Sequence, residues 1–247
     1  MEITISAETN MGMKRTNNED LGLVQSELVI DTSIRSTFDL SSDAPIIAAV
    51  ADGMGGRDNG EVASMMVIDA LREWRESVSA DATVNDISSS FNLWVSETNR
   101  KLRNTSTKTN LGKCMGSTLV GMVFTHNAIV GFNTGDSRLY RFRNGWLRQI
   151  SKDHSQKQLS GDENMKANII YNCFGAVKDT FADYFNISTN VNKGDIFLLC
   201  SDGLWEMVSD DMMEELLNSS ASVSQFIEAA NQRGGKDNVT VALIRIS

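Results

Sequence analysis

The stretch Val50-Ala51-Asp52-Gly53-Met54-Gly55-Gly56 decides how the rest of this chain is read. The apolar run 46–50 has the length and composition of a buried strand. It ends in a carboxylate, and a turn built on three glycines follows at once. A strand that carries Asp52 into a glycine-rich loop lets a charged side chain and bare backbone carbonyls converge on one point. Hard divalent cations require that arrangement, because they take oxygen ligands. One such loop carries little weight alone. Other acidic turns lie at Asn18-Glu19-Asp20, Gly135-Asp136-Ser137, Ser201-Asp202-Gly203 and Lys236-Asp237-Asn238.

Outward from that strand, residues 3–7 alternate Ile3, Ile5 and Ala7 with polar neighbours, the pattern of a half-buried strand. Residues 12–20 form a polar loop, 21–24 and 28–30 read as strands, and 31–45 as a poorly patterned hairpin or loop. Two amphipathic helices follow. One carries Ala63, Met66, Val67, Ala70, Leu71 and Trp74 on a single stripe; the other carries Ile87, Phe91, Trp94, Val95 and Leu102. Their aromatic residues are packing residues. Residues 105–113 are polar, and strands then crowd together over 117–125, 128–133, 138–143 and 146–150. Asn144-Gly145 marks a tight hairpin between the last two. The chain turns polar from Asp153-His154-Ser155 to residue 168, and strands return at 185–191 and 196–200. A short helix over 212–217 begins with Ser209-Asp210-Asp211, whose acids suit a helix N-terminus. Ser222 and Gln225 form a capping box for a helix ending at Gly234-Gly235, and 239–246 is the closing strand. Strict βαβ alternation is missing. The expectation is an α+β fold, a four-layer αββα sandwich of two antiparallel sheets flanked by helix pairs, with residues 1–247 as one domain.

The balance of 32 acids against 23 bases disfavours nucleic-acid binding, and no basic run suggests an anionic membrane. No apolar stretch approaches the roughly 20 residues of a spanning helix, and the first residues lack a signal-peptide pattern. Cys114, Cys173 and Cys200 are odd in number and widely spaced, which argues against a disulfide framework or a zinc site. A cytoplasmic location is expected.

Asp52 and Asp202 each end an apolar strand and precede a glycine, whereas Asp20 and Asp237 lie just before strands begin. Were those strands neighbours in facing sheets, four carboxylates would meet at one rim and repel. A pair of hard cations bridged by a water, ~3.5–4 Å apart, relieves that repulsion, generates a hydroxide and clamps a phosphate. Any single Asp-Gly pair is more readily an ordinary turn, so pattern alone leaves turn and ligand both open. Other phosphate chemistries lack their residues. No cysteine has Arg six positions later, no P-loop exists, and no Gly-x-Ser-x-Gly elbow occurs. With only His126 and His154, a histidine-rich metal site is excluded; His126 reads as a solvated hairpin tip.

In order along residues 3–246, Gly12-x-x-Arg15-x-x-Asn18-Glu19-Asp20, Asp52-Gly53-Met54-Gly55-Gly56, Gly116-Ser117-Thr118, Gly135-Asp136-Ser137-Arg138, Asp153-His154-Ser155, Ser201-Asp202-Gly203-Leu204-Trp205 and Lys236-Asp237-Asn238-Val239-Thr240 resemble the metal-dependent protein phosphatases, the PPM or type 2C family, in its bacterial form. The resemblance implies a Ser/Thr phosphatase with two Mn2+ or Mg2+ ions and a position for a third. It implies that Asp52 bridges the ions, that Gly53 ligates through its carbonyl, and that Asp202 and Asp237 complete one metal. Glu19 and Asp20 match the acidic pair that holds waters at the other, and Asp136, with Asp202, matches the third position. Arg15 matches the residue that grips the substrate phosphate, a role its guanidinium fork suits. Asp52 and Asp202 are thus expected to be catalytic together with Arg15. Implied partners are phosphorylated proteins of a cognate Ser/Thr kinase, met by a monomer.

Three departures stand out. Met54 occupies the place where some relatives carry a proposed general-acid histidine. His154 is expected to pack at the base of a loop. Residues 156–168 are short for a flap beside the site, and 31–44 are long for the link between the first motifs. The alternative function is a catalytically inactive scaffold of the same fold that binds a partner. A small-molecule phosphohydrolase or a regulator of an anti-sigma-factor circuit would share the chemistry.

Overall fold

Ile3, Ile5 and Ala7 fall on one face of β1 (Glu2–Asn10) and are buried, while the residues between them reach the surface. That alternation is what a sheet with one packed face demands. The computed structural model describes residues 1–55, 59–108, 115–162 and 169–247. After β1 come β2 (Asp20–Val24), β3 (Glu27–Val29), β4 (Ser33–Asp39) and β5 (Ile46–Met54), then α1 (Asn59–Ser77) and α2 (Val84–Lys108). A run of strands follows: β6 (Gly116–Ser117), β7 (Leu119–Phe124), β8 (Ile129–Thr134), β9 (Arg138–Arg143) and β10 (Trp146–Gln149). The last third holds α3 (Gln156–Ser160), β11 (Asp183–Asn186), β12 (Ile196–Cys200), α4 (Asp202–Trp205), α5 (Asp210–Asn218), α6 (Val223–Gln232) and β13 (Val239–Ile246).

The strands form two antiparallel sheets. One has the order β10-β9-β12-β13-β1-β4; the other runs β11-β8-β7-β5-β2-β3, with β6 paired to β5. Between them lies an apolar layer that includes Ile5, Val50, Phe124, Phe197 and Ile244. The outer face of the second sheet is covered by α1 and α2, where Val67, Leu71, Phe91 and Leu102 meet Leu23, Ile47 and Phe132. On the first sheet, α5 and α6 press Met213, Leu217, Phe226 and Ile227 onto Leu198, Val241 and Leu243. Each buried side chain of this size contributes about 1.5–3 kcal/mol. The expected four layers are present, and the helix aromatics pack. Phe91 stands 4.8 Å edge-on to Trp74 and 4.6 Å from Phe132, and Trp94 Nε1 donates to the Ala70 carbonyl.

Several boundaries differ from expectation. The strand at 46–50 does not stop before Asp52 but runs on to Met54, because β2 and β6 give its last residues partners. The segment 31–45 contains β4, an edge strand paired along β1. The strand expected at 185–191 ends at Asn186, and a 3-10 turn follows over Ser188–Asn190. Two short helices, α3 and α4, went unforeseen, and α2 extends through the polar start of 105–113; residues 109–113 lie outside the described residues, as does Cys114. Cys173 and Cys200 are buried. The Asn144-Gly145 turn has positive φ at both residues, 53° and 86°, as a primed hairpin turn requires. Among the described residues no helix is long and apolar enough to cross a membrane.

Candidate metal centre

Antiparallel pairing puts the C-terminal end of one strand beside the N-terminal start of the next. In the second sheet this register sets Asp20, the first residue of β2, directly opposite Asp52 near the end of β5. In the first sheet β12 and β13 pair with Cys200 opposite Val241, so Asp202 and Asp237 leave the same end. Hydrogen bonds close the seam between the sheets. Ser201 Oγ and Thr240 Oγ1 donate to Asp20 Oδ2 at 2.6 and 2.8 Å, and Thr240 N donates to Ser201 Oγ. Four acids from four distant segments thus share one rim.

Their charges are felt. Burial pushes Asp20 up to about 7 against the pull of Ser201 and Thr240, with Asp202 and Asp237 adding repulsion. Asp202 is also pushed up to about 7, first by desolvation and then by Asp237 and Glu206. Asp52 lies well above its ordinary value, through desolvation and then repulsion from Asp202, Asp20, Asp136 and Asp237. Among the described residues no three acidic or histidine side chains stand in ligating geometry around one point. The rim is held by hydroxyls and by Arg15, whose Nη2 donates to Asp237 Oδ2 at 2.5 Å. That hydrogen bond is the first reason the Arg15 pKa is raised.

Whether the rim suits hard cations is tested by its orphaned oxygens. Glu19 Oε1 and both carboxylate oxygens of Asp136 are buried without a hydrogen-bond partner. A Cβ built on Gly60 would sit 2.7 Å from the Gly53 carbonyl oxygen and 2.8 Å from Glu19 Oε1, so a bare glycine keeps open a cradle where two oxygen acceptors converge. Burial raises the Glu19 pKa, with Arg15 opposing. Buried acceptors without donors are costly, and a cation satisfies several at once. The donor set, all oxygen, fits a hard divalent ion.

Supporting residues received no individual role from the sequence. Asn238 Oδ1 accepts from Glu19 N, and its Nδ2 donates to the Met11 and Asn17 carbonyls, tying the 12–20 loop to the start of β13. Asp52 N donates to Thr118 Oγ1, and Ser64 Oγ donates to the Glu19 carbonyl. Ser201 and Asn238 adjoin an acid in the sequence, in Ser201-Asp202 and Asp237-Asn238, whereas Thr118 and Ser64 carry no such signal. Asp136 stands to one side of the rim, its carbonyl accepting from Trp205 Nε1 at 3.1 Å. Arg138 lies 3.7 Å over the Trp205 ring and clasps Asp153 with two nitrogens.

Neither histidine belongs to the rim chemistry. His154 is buried; Gly135 N and Asn172 Nδ2 face its Nδ1, and its Nε2 meets Asp183 at 3.2 Å. It packs beneath a loop, as expected. His126 is not simply solvated: its ring bridges Asp81 and the Ser42 carbonyl.

Protein phosphatase 2C is the family that matches, over residues 33–243. The serine/threonine phosphatase stp of Listeria monocytogenes is 34% identical over 251 residues, covering 96% of this chain and 93% of its own. Among solved structures, the Streptococcus agalactiae serine/threonine phosphatase superposes with a TM-score of 0.83 at 25% identity, covering 99% of this chain and all of its own. The catalytic domain of the serine/threonine phosphatase PstP, solved with two manganese ions, superposes at 0.76 with 29% identity and full coverage of both chains.

Proposed function

The chain belongs to the protein phosphatase 2C family, and from that premise we propose that its acidic rim takes two divalent cations, Mn2+ or Mg2+, and hydrolyses phosphoserine and phosphothreonine on proteins. The observation that carries this reading is the meeting of Asp20, Asp52, Asp202 and Asp237 across the seam between the sheets, with orphaned Glu19 and Asp136 oxygens beside them. Asp52 would bridge the ions, Gly53 would add its carbonyl, and Asp202 with Asp237 would complete one metal. Glu19 and Asp20 would hold the waters of the second, and Asp136 with Asp202 would offer a third position. Bound there, the ions would lower the pKa of a water and neutralise charge on the phosphoryl group.

The side chains do the rest. Arg15 is part-exposed and lies beside Asp237, where its planar fork meets the phosphate oxygens of an arriving substrate. Arg15 then leaves Asp237 free to ligate, and its positive charge offsets the repulsion between an anionic substrate and an acidic rim. Met54 has no proton to give, and both ring nitrogens of His154 are engaged away from the rim. Water at the open rim therefore protonates the leaving oxygen. Substrates are phosphoproteins, from a cognate Ser/Thr kinase. The catalytic unit is a single domain over residues 1–247, acting as a monomer in the cytoplasm without nucleic-acid or membrane contact; the net charge of −9 supports the last point alone.

The test is Mn2+-dependent release of phosphate from a phosphothreonine peptide. Asp202→Ala is expected to lose at least about 100-fold in turnover. Activity that persists in excess chelator, or an Asp202→Ala protein with full turnover, overturns the assignment.

A further inference from the structure

A cleft opens between the C-terminal half of α2 and the loop 175–180. It measures about 390 Å³ and is lined by Asn99, Arg100, Arg103, Lys178, Asp179 and Thr180, among others. Three cations thus face one carboxylate in a chain whose net charge is −9. Arg15, Arg72, Arg138 and Arg143 each pair with a carboxylate. Among the described residues, Arg100, Arg103 and Lys178 form no ion pair.

The cleft is also built rather than incidental. Asn99 is buried, and its side chain fastens the loop to the helix. Its Oδ1 accepts from Gly175 N at 2.7 Å, and its Nδ2 donates to the Val177 and Lys178 carbonyls at 3.1 and 3.0 Å. Lys178 is thereby held against the α2 face that carries Arg100 and Arg103.

The cleft connects to the candidate metal loop through paired backbone. Met54 of β5 pairs with Gly116, Ser117 bridges to Phe174, and Gly175 is bonded to Asn99. Two ladder steps of ~4.8 Å, the two residue steps that join them and one hydrogen bond keep Asn99 within roughly 20 Å of Met54, which at most about six residues of extended peptide span.

We propose that this cleft binds a second phosphate group on the substrate protein, within about six residues of the phosphoserine or phosphothreonine at the rim. The inference rests on the phosphatase reading above and gives it a substrate preference: multiply phosphorylated segments over singly phosphorylated ones. Guanidinium pairs and an ammonium are the chemistry that recognises a phosphate monoester.

The experiment compares two peptides of one sequence, with one phosphothreonine or with a second phosphoserine four residues away. Affinity is measured by fluorescence anisotropy in chelator, where nothing is turned over, and kcat/KM is measured with Mn2+. Wild type is expected to favour the doubly phosphorylated peptide about fivefold or more in both assays, with the preference shrinking as salt rises. The Arg100→Gln/Arg103→Gln/Lys178→Gln protein is expected to lose the preference. Arg100→Gln/Lys178→Gln, which changes exposed residues only, is expected to lose part of it. Competition by inorganic phosphate reports whether free anion alone fills the cleft; if it abolishes the preference at low concentration, the second phosphoserine is not the occupant. Equal binding of both peptides by wild type, or an unchanged preference in the triple variant, overturns the proposal. If wild type hydrolyses neither peptide nor p-nitrophenyl phosphate, the phosphatase reading has failed, and the binding assay still decides on the cleft.

Discussion

Asp202 sits where a negative charge is least welcome, among carboxylates that are already crowded and partly dehydrated. Without an ion it costs stability, a cost that the proposed metal role would explain. Asp202→Asn is therefore expected to raise the melting temperature in chelator by about 2–4 °C, near 1 kcal/mol for a chain of this size, while abolishing Mn2+-dependent turnover. Calorimetric melting scans and a phosphate-release assay check both halves; a variant that is both less stable and inactive would show that the rim is not repulsive. Gly60 makes the opposite kind of demand. Its missing side chain leaves the space beside Glu19 Oε1 and the Gly53 carbonyl, so Gly60→Ala is expected to weaken Mn2+ binding about tenfold or more in isothermal titration. Arg15→Lys keeps the charge but loses the fork, and is expected to lower kcat/KM for a phosphopeptide about tenfold while sparing metal affinity.

At the level of elements, patterning carried most of the fold into view. The stripes of α1 and α2, the Asn144-Gly145 hairpin and the run of β12 announce themselves because burial on one face or both imposes a period. β4 was hidden for the converse reason. It is an edge strand with one neighbour, its residues alternate between part-buried and exposed, and no fully buried position disciplines its sequence. The acids of the site were visible because each stands at a strand end. Ser201, Thr240, Asn238 and Thr118 were not, because a hydroxyl or amide partner has no spacing rule and appears only when two sheets meet. One tie between elements has a pH signature. Arg143 of β9 grips Asp195, just before β12, with contacts of 2.6 Å, and the Asp195 side chain is 1% exposed. Burial alone would raise its pKa, but the bonds from Arg143 and Asn192 N prevail and lower it. A lowered folded-state value means the contribution is present above the unfolded pKa of about 3.9 and fades as pH falls below it. Asp195→Asn is thus expected to cost about 1–2 kcal/mol at pH 7, and progressively less below pH 4 in urea denaturation series.

For the whole molecule, the proposed ions act as ligands of the folded state alone, since the residues that would hold them come together only when both sheets are in place. Mn2+ at about 100 times its dissociation constant is expected to stabilise the protein by about 2.7 kcal/mol, a melting shift of roughly 5–10 °C that Asp52→Asn should erase. The order of the six-stranded sheet carries a further consequence. β13, the last strand along the chain, lies between β12 and β1, the first, and Thr240 within it reaches across to Asp20. During synthesis β1 can pair with β4 early, but its other edge stays open until β13 has emerged. A product cut before β13 would lack Thr240 and with it the bond that ties Asp20 to the facing sheet, so the proposed metal centre would go unassembled rather than merely weakened.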